Sequence, residues 1–225
     1  MTIKYASIVP LIGGMTLAGI KATNGIKPSA IMTYSPFKDN ELSLKMYLPD
    51  VPYHVLDEGG DIDAGKDFDY ISTLCPCAGL SLLSSGTQEV KEAANSWMFK
   101  TAEHVLGHLK PKVFWGENAP ALYSLTNKPG TKIRQKLEDL AEKYGYTITY
   151  YFTSTHLHGV PQKRLRTFYF FWKEIDQVPE LGYYNIPHKT YGEYMNEIPA
   201  NASQHAEYFD EAYKSLRGSR FCKFL

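Results

Sequence analysis

A proline-flanked cysteine, a glutamate closing an apolar run and two arginines spaced two apart are the residues of this 225-residue chain with types suited to covalent chemistry. Cys75-Pro76-Cys77 closes the run Tyr70 to Leu74 and opens the irregular stretch Ala78-Gly79-Leu80-Ser81. A thiol there would project from a strand end as a nucleophile, or pack as a small hydrophobe. Glu117, in Glu117-Asn118-Ala119-Pro120, follows the run Val113 to Trp115. In a pocket beside a cysteine it would be a proton donor with a pKa raised by burial; elsewhere it would be a cap or a surface residue. Arg164 and Arg166 lie in Gly159-Val160-Pro161-Gln162-Lys163-Arg164-Leu165-Arg166 and enter the most hydrophobic run. Strand alternation puts both guanidinium groups on one side, where they would grip a carbonyl oxygen, phosphate or carboxylate, or solvate an edge.

A second group of residues suits a nucleotide-like ligand. Gly13-Gly14 sits between the first apolar run and the helix-like Met15 to Ala22, and Gly60-Asp61-Ile62 follows the third run. Glycines at a strand-to-helix turn let a ligand approach the backbone, and an Asp at a strand end accepts hydrogen bonds from ribose or adenine. A plain turn and a turn Asp explain the same residues. Cys75 and Cys77 are too close for a zinc spacer, and the pairs His104/His108 and His156/His158 repeat in no zinc-like frame, so no metal is expected.

These residues need a scaffold with strand ends gathered at one edge. Short β-prone runs occur at Ala6 to Leu11, Ala30 to Tyr34, Tyr53 to Leu56, Tyr70 to Leu74, Val113 to Trp115, Tyr146 to Phe152 and Leu165 to Trp172. Between them, Val90, Ala94, Trp97, Met98, Thr101, Val105 and Leu109 recur at helical spacing before Lys110-Pro111. Ile133, Leu137, Leu140, Ala141 and Tyr144 do so before Gly145. Alternating strands and amphipathic helices imply right-handed βαβ units and a three-layer α/β domain. After Trp172 the texture changes to prolines among tyrosines, with a helical pattern from Ser203 to Leu216 and a cationic end. The chain is therefore divided into a domain over residues 1–175 and an extension or linker over residues 176–225.

Composition narrows the classes. Lys plus Arg and Asp plus Glu each number 24, against a protein that only coats nucleic acid through a basic excess. Three cysteines, two of them separated by one proline, make a disulfide framework improbable and point to free thiols in a reducing, cytoplasmic setting. No apolar run approaches the ~20 residues that cross a bilayer. Pro10, Gly13 and Gly14 break the stretch Ala6 to Ile20 that would otherwise mimic a signal-peptide core.

In order and spacing, Pro76-Cys77-Ala78-Gly79-Leu80-Ser81, Gly116-Glu117-Asn118-Ala119 and Gly159 to Arg166 resemble the nucleophile, Glu-Asn and Gln-x-Arg-x-Arg motifs of the DNA (cytosine-5)-methyltransferase family. The resemblance spans about residues 5 to 172. It implies a doubly wound, mostly parallel sheet with one antiparallel strand and S-adenosylmethionine as cofactor. Double-stranded DNA is the implied substrate, in the setting of DNA methylation and restriction-modification. It further implies that Cys77 adds to cytosine C6, that Glu117 hydrogen-bonds or protonates N3, and that Arg166, with Arg164 nearby, holds the O2 side of a flipped-out base. Val9, Ile12 and Gly14 would surround the methionine end of the cofactor, Asp61 and Ile62 the adenine, with Tyr34 at the ribose and Pro76 and Met98 lining the cleft.

The sequence departs from that pattern at Ser7-Ile8-Val9-Pro10-Leu11, where the family usually has Asp-Leu-Phe-Ala-Gly, and at Tyr34 or Ser35, where it has a ribose-binding acid. The family also continues into a target-recognition domain for which 225 residues leave no room. The chain thus reads as a catalytic half, a fragment or one subunit of a split enzyme with a second chain supplying recognition. Two further readings are a catalytically impaired DNA-binding or regulatory homologue and a tRNA cytosine methyltransferase.

Overall fold

In a computed structural model, the structure describes residues 3–56, 64–76, 80, 88–123, 128–174 and 177–197. The sequence expectations at Cys77, Asp61, Ile62 and the helix Ser203 to Leu216 lie outside these residues.

The strands are β1 (Tyr5–Ile8), β2 (Ala30–Tyr34), β3 (Tyr53–Leu56), β4 (Tyr70–Thr73), β5 (Val113–Asn118), β6 (Tyr146–Ser154) and β7 (Leu165–Lys173). They form one sheet in the order β3-β2-β1-β4-β5-β7-β6. The first five pair in parallel, and β7 runs antiparallel to both β5 and β6. This is the mostly parallel α/β sheet with one antiparallel strand expected from the sequence. β1 and β2 are buried at every position, because strands in the middle of such a sheet are covered on both faces.

Helices α1 (Gly14–Ala22), α2 (Leu42–Tyr47), α3 (Gln88–His104), α4 (Lys128–Tyr144) and α5 (Tyr191–Asn196) complete the regular elements, with a 3₁₀ segment Ser35–Glu41 leading into α2. On α4, Ile133, Leu137 and Ala141 are buried at helical spacing, and the helix stops at Gly145, whose φ of 72° suits glycine. α3 runs on into a π-turn, Val105–Leu109, closed by left-handed Lys110 before Pro111. Met98, Ala102, Val105 and Leu106 from this side join Phe114, Tyr169 and Phe171 of the sheet in one core.

β1 ends three residues earlier than its apolar run. Val9 and Leu11 have φ of 50° and 52°, in the left-handed region, so the chain leaves the sheet after Ile8.

Contacts divide the chain into two units: the described residues of Met1–Ser154 with Arg164–Tyr183, and those of Thr155–Lys163 with Tyr184–Leu225. In the second unit His158 bridges to Ile186, and the Ile186 amide donates to the Leu157 carbonyl at 2.9 Å. Among the described residues no helix is long and apolar enough to cross a membrane.

Candidate active site

Parallel pairing brings the carboxyl ends of β1, β2, β4 and β5 to one edge of the sheet. Because β7 is antiparallel, its first residues arrive at that same edge. Glu117 pairs with Phe168, and Arg166 lies two residues before Phe168 and so on the same face, diagonal to Glu117. The Arg166 Nε and Glu117 Oε1 form an ion pair with side chains only 19% and 21% exposed. Arg166 also donates from Nη1 to the Leu165 carbonyl at 2.8 Å, which fixes its head group. Burial pushes the Glu117 carboxyl up to about 6, while the charge of Arg164 pulls the other way. The result is an acid poised to exchange a proton near neutral pH, beside a planar cation.

The backbone under Glu117 is closely packed. A Cβ at Gly116 would run into the Tyr169 hydroxyl and lie 2.8 Å from Thr73 Cγ2, so only glycine fits between β4 and β7. Asn118 is buried; its Oδ1 accepts from the Ala119 amide at 2.8 Å and its Nδ2 lies 3.6 Å from Met98 Sδ. The sequence reading gave Asn118 no role; it turns the chain out of β5 at a fixed angle.

On the neighbouring strand, the structure describes Cys75. Cys75 is buried, with Sγ 3.3 Å from Thr73 Oγ1, 3.3 Å from Thr101 Oγ1 and 3.8 Å from the Trp97 carbonyl. Burial pushes its thiol up, so it stays neutral and packs. It anchors the end of β4 to α3 one residue before half-buried Pro76, at the entry to the segment carrying Cys77.

The other half of the edge is the turn after β1. Val9 is buried and its amide donates to the Met32 carbonyl at 2.8 Å, while its own carbonyl accepts from Leu74 at 3.2 Å. Ile12 is 76% exposed. A Cβ at Gly13 would lie 2.6 Å from Leu44 Cδ1, whereas Gly14 faces open space. α1 starts without an acidic residue in its first turn and without a side-chain cap, and its first bond is Leu17 N to Gly13 O, so the amides of residues 14–16 face outward unpaired within the helix. Beneath the turn, Thr16 Oγ1 donates to Ser7 Oγ at 2.9 Å, and Ser7 shares a 3.2 Å hydrogen bond with Ser72. Tyr34 closes β2 with its ring against Trp97, at 5.0 Å between centroids, and is buried. Met98 is buried as well.

Glu41 was not singled out by the sequence, where it reads as one acid in a polar stretch. It is fully buried, and its carboxyl accepts from Thr33 Oγ1 and Tyr53 Oη, both at 2.8 Å, and faces the Leu11 amide. In the second unit Gln162 lines, with Lys163, His156 and His188, a cavity of about 410 Å³. The described residues hold no cluster of three His, Cys, Asp or Glu arranged for a metal.

A family model described as C-5 cytosine-specific DNA methylase matches residues 12–218. No curated relative matches the chain in sequence. Among solved structures, an E. coli protein named as a DNA modification methyltransferase encoded within a prophage is similar at a TM-score of 0.65 and 18% identity, over 88% of this chain and 56% of its own. The Entamoeba histolytica methyltransferase EhMeth is similar at 0.59 and 13% identity, over 84% and 58%. A Spodoptera frugiperda DNMT2 mutant gives 0.55 and 16%, over 84% and 56%. These likenesses are of fold, and the chain spans little more than half the length of each.

Proposed function

The chain belongs to the C-5 cytosine-specific DNA methylase family, and from that premise we propose that it transfers a methyl group from S-adenosylmethionine to C5 of a cytosine in DNA through a covalent adduct at Cys77. The observation that carries the proposal is the Glu117–Arg166 pair, half-sheltered at the strand end next to the one that leads to Cys77.

The donor's chemistry is an electrophilic methyl on a sulfonium, attached to an amino acid and a nucleoside. Its carboxylate suits the outward amides of residues 14–16, with no acid nearby in α1 to repel it and open space at Gly14. Cytosine C5 is a weak nucleophile. Addition of the Cys77 thiolate to C6 moves electron density to C5 and charge to N3, where the Glu117 carboxyl, raised by burial to about 6, supplies a proton. Arg166 sits beside the same carboxyl and would donate to O2, fixing the ring between two groups. Once C5 has taken the methyl group and lost its proton, the C6–sulfur bond breaks and the thiolate leaves. Since C6 is shielded in stacked duplex, the base has to be flipped out.

We assign these tasks to residues 1–175 and target reading to protein outside them, carried on a second chain or a further segment, in a reducing cytoplasm that keeps the thiols free. The inward turn of Tyr34 favours a second reading, a homologue that keeps the fold but binds the donor poorly, because Tyr34 and Ser35 at the end of β2 offer a ribose no carboxylate.

The test is methyl transfer from labelled S-adenosylmethionine to DNA, together with trapping on oligonucleotides carrying 5-fluorodeoxycytidine. Cys77→Ser is expected to abolish both product and adduct; methylation that survives the substitution refutes the covalent route. Donor binding by calorimetry decides between the two readings.

A further inference from the structure

The segment after β2 touches the turn after β1 at two places, and both contacts bear on an unfavourable piece of backbone. Leu11 holds a φ of 52°, a left-handed conformation that side chains other than glycine disfavour. Its amide points at the carboxyl of Glu41, the last residue of the 3₁₀ segment. Two residues on, Gly13 is pressed against Leu44 of α2 so closely that a Cβ would lie 2.6 Å from Leu44 Cδ1. Glu41 is itself tied to β2 through Thr33 and to β3 through Tyr53, so the sheet, and not solvent, holds the carboxyl in place. A fully buried carboxyl surrounded by three donors is costly unless each bond is made. Here the third donor, the Leu11 amide, belongs to a turn whose next residues are exposed Ile12 and the start of α1.

The geometry points to Glu41 as a positioning residue for the methyl donor: it holds Leu11 in its left-handed conformation and thereby sets where the amides at the start of α1 meet the donor's carboxylate. This deepens the function proposed above and rests on it. Glu41 is buried and contacts no donor atom; it acts through the Leu11 amide. Glycine at position 11 would take up the same φ unaided, which gives the inference its test.

The assay is calorimetric binding of S-adenosylmethionine and of S-adenosylhomocysteine to the full chain, with thermal melting to confirm that each variant is folded. Glu41→Gln is expected to weaken binding about tenfold, because one of the two carboxyl oxygens becomes an amide nitrogen that donates and cannot accept. In turnover it is expected to raise the KM for the donor with little change in kcat. Adding Leu11→Gly to Glu41→Gln is expected to bring affinity back to within about threefold of the parent. Should Glu41→Gln not fold, Tyr53→Phe, which removes one of the carboxyl's three donors, takes its place with and without Leu11→Gly, and a loss of about threefold is expected. A folded Glu41 variant with parental affinity overturns the inference, as does a loss that Leu11→Gly fails to restore. If the parent protein itself binds no donor, the proposed function falls and the inference with it.

Discussion

Burial and the charge of Arg164 act on Glu117 in opposite directions, and the balance between them can be read from stability alone. Burial raises the carboxyl from its ordinary 4.5 to about 6 in the folded chain. One pKa unit corresponds to about 1.4 kcal/mol, so a shift of about 1.5 units is worth about 2 kcal/mol. Between these two values the folded protein holds more protons than the unfolded one. Stability from Glu117 is therefore complete below about pH 4.5, declines as pH rises, and is lost above about pH 6. Asp69 and Glu103, held below the usual carboxylate range by hydrogen bonds from Lys112 and Lys143, act in the opposite sense at lower pH. The useful quantity is thus the difference between the parent and Glu117→Gln. Urea unfolding across pH 4 to 7.5 should show that difference moving against the parent by about 2 kcal/mol as pH rises. Arg166→Ala should steepen the fall, since the guanidinium favours the ionised form. A difference that moves in the parent's favour as pH rises would show that the charges of Arg164 and Arg166 outweigh burial. It would remove the reason for assigning proton donation to Glu117.

Further outcomes follow from the same edge of the sheet. Cys75→Ala is expected to cost about 1–2 kcal/mol in urea unfolding while leaving the 5-fluorodeoxycytidine adduct intact, because Cys75 packs and does not react. Loss of the adduct in a folded Cys75→Ala protein would contradict this. Gly116→Ala is expected to destabilise by about 2–3 kcal/mol, since its Cβ has no room beside Tyr169 and Thr73. In a double-mutant cycle with Tyr169→Leu the coupling should reach about 1 kcal/mol or more, and additivity would show that Tyr169 is not what closes the space.

Most of the scaffold was legible because its signals are local. β-prone runs and helical spacing located the strands and the two long helices, and Gly145 and Pro111 marked the stops. Pattern named Glu117 and Arg166 as candidates, but what makes them neighbours is topology, since β7 inserts between β5 and β6 against the order of the chain. Other features depend on distant partners. Nothing in Ser35-Pro36-Phe37-Lys38-Asp39-Asn40-Glu41 separates the buried acid from its polar neighbours. Its burial arises from Thr33, Tyr53 and Leu11, which only the fold assembles. Leu11 and Val9 looked like the end of a strand, since apolar residues seldom adopt a left-handed φ and pattern alone cannot reveal it. Cys75 and Cys77 were equivalent as residue types; the hydroxyls of Thr73 and Thr101 around the first one are a tertiary fact.

The reversed course of β7 has a consequence for anything joined to this chain. From Arg166 to Lys173 the strand covers seven residue steps, about 24 Å at ~3.4 Å each, directed away from the edge where Glu117 lies. A module grafted just after Lys173 would emerge at the end of the strands opposite Glu117. The polypeptide undoes this by itself. Tyr151, which pairs with Phe168 at the height of Glu117, donates its hydroxyl hydrogen to the Gly182 carbonyl at 3.0 Å and has its ring 5.3 Å from that of Tyr183. By Tyr183 the backbone has been led back to the level of Glu117, so a fusion point there delivers its cargo at that end of the sheet, and one ten residues earlier does not.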